Sequence, residues 1–198
     1  HHDVDKQSYR NGRACARLPR LRIYTFNSNS LSAYNNTPDG TNRRHRVNRR
    51  LRDLLSRRDI GLVQETHLAR LDDYSLAKEF PLFDIYRSNM GVNSGGVLTF
   101  VRRTFASRYV VSVIPMGTAA QGRVLALSFR SIAFPLDNRA HFDVANVCFS
   151  GQGDMVGKEA QIAELSALDP LVRTIVGGDF NFVESAGDCS GPLSNSCL

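Results

Sequence analysis

Beyond residue 20 the hydrophobic and polar positions fall into two repeating patterns. Short apolar runs rich in β-branched and aromatic residues recur at Leu21 to Phe26, Asp59 to Gln64, Leu82 to Tyr86, Gly96 to Val101, Tyr109 to Ile114, Arg123 to Phe129, Phe142 to Phe149 and Leu171 to Val176. Most are bounded by Gly, Pro, Asn or Ser, so each reads as a strand. Two segments have helical period instead. From Asn42 to about Arg57, Val47, Leu51, Leu54 and Leu55 fall at i, i+4, i+7 and i+8, one apolar stripe of a helix. The other runs from Val156 to Leu168 and stops before Pro170, as the restriction on the residue preceding proline requires. The stretch Asn35 to Gly40, with Pro38 and Asp39, reads as a loop. Strands outnumber helices, and the helices sit near the two ends. This order predicts an α/β (α+β) domain of two packed sheets with covering helices, not a doubly wound parallel sheet.

Composition narrows the class. With 198 residues, 42% hydrophobic and 22% charged, the chain supports one domain, 21–198, behind a leading segment 1–20 that lacks periodicity and reads as a disordered basic arm. No apolar run reaches the roughly 18 residues of a membrane span, and the N-terminal segment lacks a secretory core. The cysteines Cys15, Cys148, Cys189 and Cys197 have neither CxxC nor zinc-ligand spacing, which favours a reducing compartment, with Cys148 as a small buried hydrophobe.

Charge changes the picture once it is located. Between Arg43 and Arg58 eight arginines face one acid, Asp53, so a segment of +7 sits in a chain of +6. Such a run is often a solvated helix face, but those faces mix signs. Eight to one points to a polyanion, with Arg43, Arg44, Arg46 and Arg50 as nucleic-acid contacts.

Three strands end in oxygen-bearing side chains: Asn27 with Asn29, Glu65, and Asp179 with Asn181 in the stretch GGDFNF. Strand ends are where sites assemble, because the sheet fixes the backbone and the loop frees the side chain. Carboxylates and carboxamides are hard donors of the kind magnesium takes, with water and phosphate filling the rest of its shell. Glu65 is the best direct ligand, with Asn27 beside it. Asp179 can orient and help deprotonate a water, and Asn181 can donate to that water or to a phosphoryl oxygen. An extended backbone would put both on one side, and the glycines before Asp179 permit close approach. Each position also has a local reading. Asp179 and Asn181 suit an Asx-turn, Asn27 a plain turn, Glu65 a solvated carboxylate, and His67 a packing or supporting role as readily as a general base.

Taken in order, TFNSNSL, RRHRVNRRL, GLVQETHL, GGVLTFV, ANVCFS and GGDFN resemble the successive motifs of the endonuclease/exonuclease/phosphatase superfamily. The wording is most similar to the apurinic-endonuclease-like domain of non-LTR (LINE-type) retrotransposons, over about Leu21 to Asn181. The resemblance implies a four-layered sandwich of two mixed sheets between helices, and a magnesium site at one end, with manganese as a substitute. It implies Asn27 and Glu65 as metal-site residues, Asp179 for the nucleophilic water, Asn181 for phosphate and water, and Asn29 and His67 in support. The activity implied is nicking of DNA, with no membrane partner, inside the cell and in the nucleus. The alternatives are a non-catalytic nucleic-acid-binding remnant, or a relative acting on phospholipid or inositol phosphates. Two departures stand out. Cys148 occupies the place of a family tyrosine that touches the scissile phosphate, and a thiol is too short and too weak a donor to replace it. The family's closing Ser-Asp-His motif has no counterpart, since no histidine follows His141, so the domain reads as incomplete at its C-terminal side.

Overall fold

The computed structural model describes residues 20–28, 31, 38–68, 73–89, 95–151 and 154–181, with backbone alone at 38–45 and 73–75. Two four-stranded mixed sheets face each other, and helices lie on their outer sides. The first sheet has the order β1-β2-β4-β3, formed by β1 (Ile23–Asn27), β2 (Ile60–Gln64), β3 (Phe83–Ser88) and β4 (Val97–Arg102). The second runs β5-β6-β7-β8, from β5 (Tyr109–Ile114), β6 (Val124–Ser131), β7 (Phe142–Cys148) and β8 (Arg173–Asp179). In each sheet one pair is parallel, β1 with β2 and β7 with β8. The remaining pairs are antiparallel.

Strand alternation divides the apolar residues into layers. Val63, Leu98 and Phe100 meet Leu51 and Leu55 of α1 (Pro38–Leu55) and Leu76 of α2 (Asp73–Glu79) outside the first sheet. Ile60, Leu62, Val101, Leu127, Phe129 and Val144 fill the space between the sheets. Val124, Val147 and Phe149 meet Leu165 of α4 (Met155–Ser166) outside the second sheet. Each fully buried leucine on α1 contributes roughly 1.5–3 kcal/mol of transfer free energy, enough to hold a helix whose other faces are charged. Arg102 closes the end of that helix, donating from Nε to Arg58 O and from Nη2 to Leu55 O and Ser56 O at 2.6 to 2.7 Å. Leu55 O also accepts the Arg58 N–H at 3.0 Å, but carbonyls at a helix end lack i+4 partners, and the cation suits the negative end of the helix dipole.

The structure corrects four expectations. The helix begins at Pro38, inside the predicted loop, because a first-turn proline lacks only an N–H that no helical carbonyl would receive. Helices are not confined to the chain ends: α2 and the single turn α3 (Arg103–Ala106) intervene, both too short to show a period and held by Leu76, Phe80 and Phe105 in the core. The last strand starts at Arg173 and runs through both glycines to Asp179, because parallel pairing with β7 sets Phe142 opposite Arg173 and Cys148 opposite Asp179. Asn181 is not extended but has φ 49. Asn29 and the arm 1–19 lie outside the described residues, as do the side chains of Arg43 and Arg44.

Candidate functional site

Both parallel pairs point the same way, so the C-terminal ends of β1, β2, β7 and β8 gather at one end of the sandwich. β1 delivers Asn27, and the turn after β2 delivers Glu65 and His67. From the other sheet come Cys148 and Asp179. The Asn27 amide donates from Nδ2 to Asp179 Oδ2 at 2.8 Å, across the gap between sheets and 152 residues of chain. Asp179 Oδ1 accepts the Asn181 N–H at 3.0 Å, so the Asx-turn exists alongside the inter-sheet contact and does not replace it. Asn181 turns its own amide to Phe149 O at 2.7 Å. Asp179 and Asn181 therefore do not share a side through an extended strand; a left-handed residue aims the second carboxamide at the neighbouring loop.

Glu65 is the centre of the other half. Its Oε1 accepts from the Cys148 thiol at 3.0 Å and lies 3.6 Å from Arg123 Nη1, while Oε2 is 2.7 Å from His67 Nε2. Burial pushes this carboxyl up, but the Cys148 and His67 hydrogen bonds and the His67 and Arg123 charges outweigh it, and the net shift is downward. Glu65 is ionised at neutral pH. Glu65, His67 and Asn181, at φ 53, 50 and 49, are the non-glycine residues with positive φ among those described. Left-handed backbone costs roughly 1–3 kcal/mol per residue and persists only where surroundings impose it. Here they do: Thr66 N–H donates to Gly96 O, His67 N–H to Gly95 O, and Ser28 Oγ to the carbonyls of Gln64 and Glu65.

Two participants, Arg123 and Lys158, carried no sequence signal as site residues, and Cys148 entered only as a departure at the place of a family tyrosine. Cys148 is not merely a packed thiol, since it donates to Glu65. Arg123, one residue before β6, lies 3.8 Å from the Cys148 sulfur as well as beside Glu65. Lys158, on the second turn of α4 and only 2% exposed, donates from Nζ to Asn181 O at 2.6 Å and so pins the turn that holds Asp179. Asp154 caps that helix, and its carboxyl is held below the usual range by the Gly157 N–H, with Ser150, Arg123 and Lys158 adding to the effect. The other histidine whose side chain is described, His141, is at the far end of the second sheet, accepting from Ser131 N–H at Nδ1 and facing Pro135 O.

The environment of Cys148 makes a testable statement. Burial, followed by the hydrogen bond to Glu65, pushes the thiol from its ordinary 9.0 up to about 12. A raised pKa stabilises the fold below the unfolded value and is lost as pH climbs toward the folded one. Between pH 8 and 10.5 the urea midpoint of the native chain is therefore expected to fall faster than that of Cys148→Ala. Parallel curves would show that the thiol is not held protonated.

A divalent cation would meet an ionised carboxylate, Glu65, and a carboxamide, Asn27, on adjacent parallel strands, where Asn27 pairs with Gln64. That oxygen-only pair fits magnesium, which completes its octahedron with water and substrate oxygens. Among the described residues no three His, Cys, Asp or Glu side chains form a metal-binding group.

Residues 24–198 match the profile of the Endonuclease/Exonuclease/phosphatase family. The chain belongs to this family. No curated protein sequence matches it. Among solved structures it is similar to the AP endonuclease LMAP of Leishmania major, at 14% identity and TM-score 0.60, over 80% of this chain and 54% of that one. It is similar to D. rerio TDP2 complexed with single strand DNA product, at 13% identity and TM-score 0.51, over 83% and 62%. It is likewise similar to the mannosyl-6-phosphatase Bt3783 of Bacteroides thetaiotaomicron VPI-5482, at 14% and 0.52, over 82% and 66%. The chain spans about half to two thirds of the length of these neighbours, and at such identities they establish the fold.

Proposed function

We propose that this endonuclease/exonuclease/phosphatase chain is a magnesium-dependent endonuclease that nicks DNA, of the LINE-retrotransposon type, working in the nucleus. The observation that carries the reading is the Asn27–Asp179 hydrogen bond, which joins the two half-sites drawn from opposite sheets. The arginine helix supports DNA over a small phosphoester. Arg46, Arg49, Arg50 and Arg52 are exposed along α1, with Arg57 exposed just past its end, and the Arg50 guanidinium lies over the Phe26 ring at 5.3 Å. Phe26 directly precedes Asn27, so the basic face begins beside the site. The LINE-type assignment rests on the wording of QETHL and GGDFN and their order.

Within this reading each side chain has a task. Asp179, its two oxygens oriented by Asn27 and by the Asn181 N–H, keeps lone pairs on both to accept from and align an attacking water. Asn181 spends one amide proton on Phe149 O and has a second for a phosphoryl oxygen. Arg123 and the Cys148 thiol hold Glu65 in its charged form, and Glu65 with Asn27 would hold the cation. A bound magnesium supplies positive charge against the developing charge on the phosphate oxygens.

Supercoiled plasmid incubated with magnesium and a form of the chain extended to the closing Ser-Asp-His motif should be converted to open circle, with no product in EDTA. Replacing Arg46 and Arg50 by alanine should weaken DNA binding and shallow the log–log salt dependence by about 0.9 for each phosphate no longer neutralised. Salt-sensitive binding without nicking would establish the binding-only alternative. Turnover of inositol or sugar phosphates without plasmid nicking would move the chain to the phosphatase branch.

A further inference from the structure

The half-sites belong to different sheets, and most of what lies between those sheets is apolar and therefore non-directional. Leu62, Leu127, Phe129 and Val144 can exclude water without setting how far one sheet slides over the other. Directional contacts do: at the loop before β6 the Gly96 N–H donates to Gly122 O at 3.0 Å and the Gly122 N–H to Ser88 Oγ at 2.9 Å, and between the strands themselves a carboxamide pair does so. The Gln64 amide, 1% exposed, donates from Nε2 to Asn146 Oδ1 at 2.7 Å, and Asn146 is fully buried. Asn146 Nδ2 in turn donates to Leu98 O at 2.7 Å and Val63 O at 3.3 Å, with Thr99 Oγ1 at 3.5 Å. Gln64 Oε1 accepts from Thr25 Oγ1 at 3.3 Å. A single carboxamide of the second sheet is thus bonded to three strands of the first, through Gln64 and Val63 of β2, Leu98 of β4, and Thr25 of β1 by way of Gln64.

The position of this contact gives it a use. Gln64 immediately precedes Glu65. Asn146 lies two residues before Cys148, and its Cα partner in β8 is Gly177, two residues before Asp179. The contacts at the site itself, Asn27 with Asp179 and Cys148 with Glu65, involve the groups that substrate and cation must engage, so they cannot hold the sheets in register during turnover. The buried pair can. We propose that Gln64 and Asn146 are positioning residues whose carboxamide pair sets the register of one sheet against the other, so that Glu65 and Asp179 face a common phosphodiester. The catalytic part of this inference rests on the endonuclease reading; the structural part does not.

The test separates positioning from plain stability. Asn146→Leu alone strands the Gln64 amide in the core and should lower the urea midpoint. The double variant Gln64→Leu/Asn146→Leu removes both partners, and replacing a buried pair by apolar groups of similar shape is close to neutral. It should recover most of the midpoint. Its kcat for plasmid nicking should nonetheless fall about 10-fold or more with KM changed less than about 2-fold, because misplacements on the order of 1 Å cost up to about 100-fold in rate. An independent readout is alkylation of Cys148, followed by peptide mass spectrometry: loss of register exposes this buried thiol, and the rate should rise about 10-fold. Native kcat together with native protection of Cys148 in a folded double variant would overturn the proposal. Should the double variant not fold, Gln64→Met, which deletes the bonds to Asn146 and to Thr25 Oγ1 but leaves Asn146 its contacts with Leu98 O and Val63 O, must still raise Cys148 alkylation; unchanged protection again overturns it. Should the extended form fail to nick DNA, the endonuclease reading falls while the Cys148 measurement still decides the register claim.

Discussion

Replacing Gly178 by alanine is expected to leave little folded protein. The residue has φ 145, which L side chains rarely adopt, and an added Cβ would sit 1.9 Å from Val147 O and 2.9 Å from the Val147 C and N atoms. Those are backbone atoms of β7, a central strand paired with β6 on one side and β8 on the other, so nothing flexible can move aside. Backbone overlap of this kind belongs with the few single substitutions that cost more than about 4 kcal/mol, against a total stability of roughly 5–15 kcal/mol for a domain. The neighbouring glycine is the control. At Gly177 a Cβ would approach only the Leu62 Cδ1 methyl, at 2.9 Å, and a side-chain tip can rotate at a cost of about 1–2 kcal/mol. Far-UV circular dichroism and urea melts of the two variants check this. A Gly178→Ala protein that melts with the native chain would mean that β8 does not approach β7 as described.

Glu65→Gln is expected to abolish measurable nicking while sparing the fold. The substitution keeps the shape of the side chain and removes its charge, the point on which three groups converge. Cys148 donates to Oε1, Arg123 stands 3.6 Å from it, and His67 is at Oε2. A glutamine presents an N–H to one of these donors and leaves the Arg123 guanidinium without its counter-charge. The cation loses its carboxylate at the same time. Loss of one preorganised electrostatic contact at a reacting centre typically costs about 100- to 1,000-fold in kcat, and more magnesium should be needed for half-maximal rate. A nicking assay over a magnesium titration, beside a thermal melt showing a folded variant, checks the expectation. Native rates at native magnesium would remove Glu65 from the site.

Much of the architecture could be read from period alone. The strands stand out because each is a short apolar run between breakers, and β5, Tyr109–Ile114, agrees at both ends. Helix α1 shows its leucine stripe because eighteen residues give the period room to repeat. Boundaries and short elements were harder. The seven residues of α2 and the shift of β8 to Arg173–Asp179 depend on contacts with distant strands, and no local propensity records those.

The site divides along the same line. Sequence order alone identifies Asn27, Glu65, Asp179 and Asn181 as oxygen-bearing groups at strand ends, because each follows an apolar run within a few positions. It also locates the positive charge on one helix, since eight arginines and one acid are a matter of counting. Tertiary structure alone decided that Asn27 meets Asp179 across 152 residues, that Cys148 serves Glu65, and that Arg123 and Lys158 belong to the same end of the sandwich. The reason is physical. Residue type and period are properties of neighbours along the chain, whereas a hydrogen bond between sheets depends on the register in which two separately formed surfaces come together.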